Sequence, residues 1–155
     1  MKTATGPVAR PERLSALTRL MQERPGPAIG NCRSYGDACL ANDRPAIKTT
    51  RMDRILGFDA QTGILEAEAG ICIGEIARLF APQGWLPAVM PGTGFATVGG
   101  CIANDVHGKN HHSVGAFGQH VVELTLLQGD KIKTIGPQTN AKLFAATVGG
   151  SARPA

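Results

Sequence analysis

Residues 91–112 read PGTGFATVGGCIANDVHGKNHH. Five glycines, three histidines, an Asn-Asp pair and a lysine fall in this one segment. Glycines at this density let backbone come close to a ligand, most often a phosphate. Histidines at this density suggest a metal. The neighbouring sequence has to decide between them.

The segment opens with a tight turn, Pro91-Gly92-Thr93-Gly94. Thr97-Val98-Gly99-Gly100 follows and allows close backbone approach, and Asn104, Asp105, Val106 and His107 then add polar groups. Neither the P-loop spacing G-x-x-x-x-G-K-[ST] nor a Rossmann G-x-G-x-x-G after a strand is present. For the metal reading, His107, His111, His112 and His120 lie close together. Gly108 and Asn110 argue against a helix that would align His107 with His111, and H-E-x-x-H is missing.

Further toward the N-terminus, residues 30–37 read GNCRSYGD. Small residues in a turn expose successive backbone N–H groups, and such concavities bind anions. Ser34 adds a hydroxyl and Arg33 a fixed charge. Two separate loops able to hold an anion through backbone suggest a bipartite cradle for a dinucleotide.

The elements around the loops alternate. Residues 11–24 are expected to be helical, with Pro11 in the first turn and Leu14, Leu17 and Met21 near one face. Ala28-Ile29 and residues 45–49 are short strand candidates. Residues 51–59 combine a turn with a strand around Ile55 and Phe58. A turn at Gln61-Thr62-Gly63 leads to a half-buried strand over 64–69, with Leu65 and Ala67 on one face and Glu66 and Glu68 on the other. Residues 73–82 form the clearest amphipathic helix, and Gly84 is its natural stop. Residues 121–127 and 131–135 pair across Gly129-Asp130. A last helix runs over 140–148. Strands, helices and hairpins together give an α+β (mixed α/β) class.

Composition narrows the function. The chain has 155 residues, enough for one domain that buries about two-thirds of its unfolded surface. A charged content of 18% with 43% hydrophobic residues argues against disorder. The net charge of +4 is spread out, without the basic patch and interleaved aromatics of a nucleic-acid binder. Cys32, Cys39, Cys72 and Cys101 contain no C-x-x-C pair and read as reduced thiols. No run is long and apolar enough for a membrane span, and the first residues lack a signal-peptide core. The expected location is cytoplasmic.

GNCRSYGD followed by PGTGFATVGGCIANDVHGKNHH, and then by residues 115–121, GAFGQHV, resembles the flavin-binding domain of the p-cresol methylhydroxylase/vanillyl-alcohol oxidase (PCMH) type. Within that family the motifs are most similar to FAD-linked sugar oxidases of the decaprenylphosphoryl-ribose oxidase type. The resemblance implies two small α+β subdomains holding FAD between them, with a substrate domain following in sequence. It divides the chain into a helical lead-in over 1–24 and a PCMH-type domain over 25–155. It assigns FAD contacts to Gly30, Asn31, Cys32, Arg33, Ser34, Tyr35, Gly36 and Asp37, and to Gly92, Thr93, Thr97, Val98, Gly99, Gly100, Asn104, Asp105, Val106 and His107. Tyr35, His107 and Lys109 match positions near the flavin ring or the substrate. The implied chemistry is oxidation of a sugar or sugar-phosphate CH–OH carbon, with hydride passing to the flavin.

Three departures from the family pattern matter. Arg33 stands where covalent relatives carry a flavin-linking histidine, so non-covalent FAD is expected. Cys32 stands where relatives usually have glycine, which tolerates positive φ as cysteine does not. The chain ends at SARPA, soon after ATVGG, where relatives continue. A truncation or frame shift is therefore expected, with the general base and most of the substrate pocket missing and an unfinished sheet edge open to association. The alternatives are a fragment without flavin and a histidine-based metal module.

Overall fold

A computed structural model describes residues 5–34 and 45–150. Its first sheet is parallel and has three strands: β1 (Val8–Ala9), β2 (Ala28–Ile29) and β3 (Ala46–Lys48). Their order is β1-β3-β2, so β3 is central, with Ala46 opposite Val8 and Ile47 opposite both Ala9 and Ala28. Ile47 is accordingly buried. Parallel strands need crossovers, and helix α1 (Leu14–Glu23) supplies the one from β1 to β2, on either side of β3. Residues 8–9, within the expected helical lead-in, thus contribute a strand to this sheet. The helix starts three residues after Pro11, with an extended Arg13 (φ −144°, ψ 152°) as its N-cap. Pro11 is buried just ahead of it.

Two antiparallel hairpins follow. Strand β4 (Ile55–Asp59) pairs with β5 (Ile64–Ala67) through the expected turn, with an irregularity between Ile55 and Gly57. Asp59 ties that turn together. Its carboxylate accepts from the Gln61 N–H (2.8 Å) and the Thr62 hydroxyl (2.7 Å), and these bonds lower its pKa. Strand β6 (Leu124–Gln128) pairs with β7 (Lys131–Ile135). It begins three residues later than the apolar run 121–127 suggests. The Val121 N–H is still closing the preceding 3-10 turn, Phe117–His120, onto the Gly118 carbonyl (3.3 Å).

Helix α2 (Ile73–Phe80) carries the core. Ile73, Ile76 and Phe80 are buried with Ile71 and Cys101, and Phe58, Leu65, Ala67 and Trp85 pack around them. This is the i, i+3, i+7 face read from sequence. Phe58 meets Phe80 at 4.5 Å and Trp85 edge-on at 5.7 Å between ring centroids. A 3-10 turn over Ala81–Gln83 and a left-handed Gly84 (φ +84°) end the helix. Helix α3 (Val98–Ala103) forms inside the stretch expected to be loop, and a four-residue helix α4 spans His111–Val114. Helix α5 (Ala141–Thr147) lies within the expected final helix, starting from Asn140 at φ +52°. Among the described residues the strands of this α+β fold form three small sheets. Among the described residues no helix is long and apolar enough to cross a membrane.

Candidate functional site

The two glycine loops meet. Gly30 leaves strand β2 directly over Thr97, and any side chain at position 30 would collide with the Thr97 hydroxyl. Asn31 Nδ2 donates to the Phe95 carbonyl at 3.2 Å and also faces Cys72 Sγ at 3.8 Å. Cys72 Sγ in turn points at the Phe95 carbonyl (3.7 Å). The Arg33 guanidinium lies over the Phe95 ring, 5.3 Å from its centroid. Residues 30–33 therefore sit on residues 95–97, although more than sixty residues of chain separate them.

The second loop is held from below by α2. The N–H groups of Ile73 and Gly74 donate to the carbonyls of Ala96 and Gly94, both at 2.9 Å. A Cβ on Gly74 would lie 2.9 Å from Gly94 Cα, so this approach of backbone to backbone requires glycine. The start of α3 is held in the same way. Thr97, only 3% exposed, caps the helix by accepting from the Gly100 N–H at 3.3 Å. Val98 donates to Ile71 (2.9 Å) and Gly99 to Ala69 (2.8 Å). The close approach at Gly99 is to Ala69, whose Cβ would lie 3.0 Å from an added side-chain carbon.

Backbone N–H groups remain on both loops. Among the described residues nothing accepts from those of Asn31, Cys32, Arg33 and Ser34, or from those of Gly92, Thr93, Gly94 and Thr97. Cys32 adopts φ +53°, the left-handed region that glycine favours. Arg33 supplies positive charge beside these donors. Donors on two touching loops beside one fixed cation are groups that could hold an anion, and their chemistry suits the diphosphate of a dinucleotide.

The remaining sequence-predicted residues are spread along the exit from α3. Asn104 Nδ2 donates to the Gly100 carbonyl (2.8 Å), closing the helix. Asp105, at φ +41°, accepts from the Gly118 N–H at 2.8 Å. Val106 packs against the core and bonds through its carbonyl to the Phe117 N–H (2.9 Å). His107 is exposed and bridges to Ala116, with its ring 5.2 Å from that of His111. Lys109 is exposed. No hydrogen bond among the described residues joins His107 or Lys109 to the first loop. Tyr35, Gly36 and Asp37 lie outside the described residues. No group of three His, Cys, Asp or Glu side chains that could hold a metal ion is present among the described residues.

Sequence reasoning missed Gly74, Ala69 and Phe95, which build the site without carrying a recognisable motif. Gly74 had one visible signal, a glycine in the first turn of an otherwise strong helix. Burial, and then Glu75, raise the Cys72 pKa, and burial pushes that of Cys101 up to about 12.

The FAD binding domain family model matches residues 8–132. Decaprenylphosphoryl-β-D-ribose oxidase of Mycolicibacterium smegmatis is 39% identical over 141 residues, 88% of this chain and 30% of the oxidase. D-lactate dehydrogenase of Anaerostipes hadrus is 26% identical over 75% of this chain and 25% of its own. Alkyldihydroxyacetonephosphate synthase superposes with a TM-score of 0.79 at 18% identity, over 93% of this chain and 28% of the synthase, a likeness of fold. The chain thus spans less than a third of the length of each of these proteins.

Proposed function

This chain belongs to the FAD binding domain family, with FAD as its cofactor, and from that premise we propose that its two loops form one non-covalent cradle for the FAD diphosphate in an oxidoreductase acting on a sugar or sugar-phosphate CH–OH group. The observation that carries the cradle is the seating of Gly30–Arg33 on Phe95–Thr97, with backbone donors on both sides of the contact that nothing among the described residues engages. Asn31, Cys32, Arg33 and Ser34 hold the diphosphate from one side, and Gly92, Thr93, Gly94 and Thr97 hold it from the other. Tyr35, Gly36 and Asp37 extend the first loop. Val98, Gly99 and Gly100 fix the second loop as the first turn of α3. Asn104, Asp105 and Val106 shape the chain that brings His107 and Lys109 toward the ring and substrate side. Arg33 at the covalent-linkage position leaves the flavin unlinked.

Bound FAD supplies a two-electron acceptor for hydride from the substrate carbon. The chain binds and orients it, and Lys109 is available to neutralise a substrate phosphate. The sugar-phosphate substrate is supported by the similarity to the ribose-lipid oxidase. A cytoplasmic location is supported by the unpaired Cys32, Cys72 and Cys101. Cofactor binding is the role assigned to these residues by themselves, because they match only 30% of the oxidase.

Fluorescence titration with FAD and with riboflavin tests the cradle. Donors aimed at a diphosphate predict FAD affinity at least about tenfold above that of riboflavin, since charge-assisted hydrogen bonds contribute about 1.5–3 kcal/mol each. Equal affinities contradict the assignment.

A further inference from the structure

Phe95 is 61% exposed, a large aromatic side chain left in solvent at the edge of the second loop. The first loop touches it twice. Asn31 holds its carbonyl at 3.2 Å, and Arg33 covers its ring at 5.3 Å. No carboxylate among the described residues pairs with Arg33.

We infer that Phe95 is a positioning residue for the cofactor, a ring platform that parks Arg33 and so sets the first-loop N–H groups facing the FAD diphosphate. This rests on the cradle proposed above. The physical reason is pre-organisation. A guanidinium stacked on a ring loses rotamer freedom before the ligand arrives and keeps its outer N–H donors free, because cation–π attraction uses the ring face. A loop that is already ordered forfeits less entropy on binding. Its carbonyl bond to Asn31 belongs to backbone and survives substitution, so a variant at position 95 tests the ring alone.

Phe95→Ala is expected to weaken FAD binding about three- to tenfold, the range of a partly desolvated cation–π contact. Riboflavin, which lacks the diphosphate, is expected to bind both forms equally. Phe95→Tyr restores affinity to within about twofold, since its ring face still attracts a cation. Arg33→Gln loses at least as much, because it also removes the charge, and the Arg33→Gln/Phe95→Ala double variant is no weaker than Arg33→Gln alone. Without ligand, Phe95→Ala also speeds amide exchange at Cys32, Arg33 and Ser34, while the exposed position leaves the unfolding midpoint unchanged. FAD affinity unchanged in Phe95→Ala, or losses that add in the double variant, overturn the inference while the cradle stands. A native chain that takes up no FAD overturns the cradle itself, and unchanged loop exchange in Phe95→Ala then removes the platform as well.

Discussion

Cys32 occupies a conformation that its side chain resists. The left-handed region costs a non-glycine residue about 1–2 kcal/mol, and at φ +53° Cys32 carries that strain inside the first loop. Glycine at this position relieves it but makes the unfolded chain freer by about 0.5–1 kcal/mol. Cys32→Gly is therefore expected to leave stability unchanged or raise it by up to about 1 kcal/mol, whereas Cys32→Val lowers it by at least about 1 kcal/mol. Denaturant midpoints decide the point, and a clear loss in Cys32→Gly contradicts the strain. This strain was legible in sequence, because the motif calls for glycine there. The role of Phe95 was not, since it depends on a contact across more than sixty residues that no local pattern encodes. Glu68 gives a pH-dependent prediction. Arg54 hydrogen-bonds it at 2.6 and 3.1 Å and holds its pKa below the ordinary carboxylate range. A depressed folded pKa means stability that is present above the unfolded value and lost as pH falls through the folded one. Arg54 is largely exposed, so the contribution is about 1 kcal/mol at most. Glu68→Gln is expected to lower stability at neutral pH, with the gap to the native chain closing below about pH 4. A gap independent of pH contradicts this.

Helix α3 shows at the scale of elements why sequence reading stopped short. A Gly-Gly pair in a first turn disfavours helix by about 1 kcal/mol per glycine, so loop was the local preference. Tertiary contacts override it: Thr97 caps the helix, and the carbonyls of Ile71 and Ala69 take up the N–H groups of Val98 and Gly99. The glycine at 99 thus meets protein, and part of what the motif looks like it reserves for ligand is spent on packing. Helix α2, by contrast, was legible because its apolar spacing is regular and its core face carries Ile73, Ile76 and Phe80. Two predictions belong here. Thr97→Val removes the cap and is expected to destabilise by about 1 kcal/mol in thermal or chemical unfolding. Gly74→Val pushes the Gly94 backbone away from α2 and is expected to weaken FAD binding about tenfold or more, although Gly74 is not one of the cradle residues. An unchanged FAD titration for Gly74→Val detaches α2 from the site.

Taken as a whole, the molecule places motifs from distant parts of the chain on one surface. The resemblance read from GNCRSYGD and ANDVHGKNHH holds, since the family model and a similar oxidase cover most of the chain. The sheet arrangement was less legible. Alternation identifies strands but not partners, and nothing local says that β3 will lie between β1 and β2, parallel to both. The consequence for function is that neither loop is a site alone. Each leaves backbone donors unengaged among the described residues, and Gly30 over Thr97 makes them neighbours. Hydrogen exchange of the native chain at increasing FAD concentration tests this most directly. The account predicts that amides of residues 31–34 and 92–97 slow together, with the same FAD dependence. Slowing confined to one of the two segments, or to the His111–Val114 helix, contradicts it.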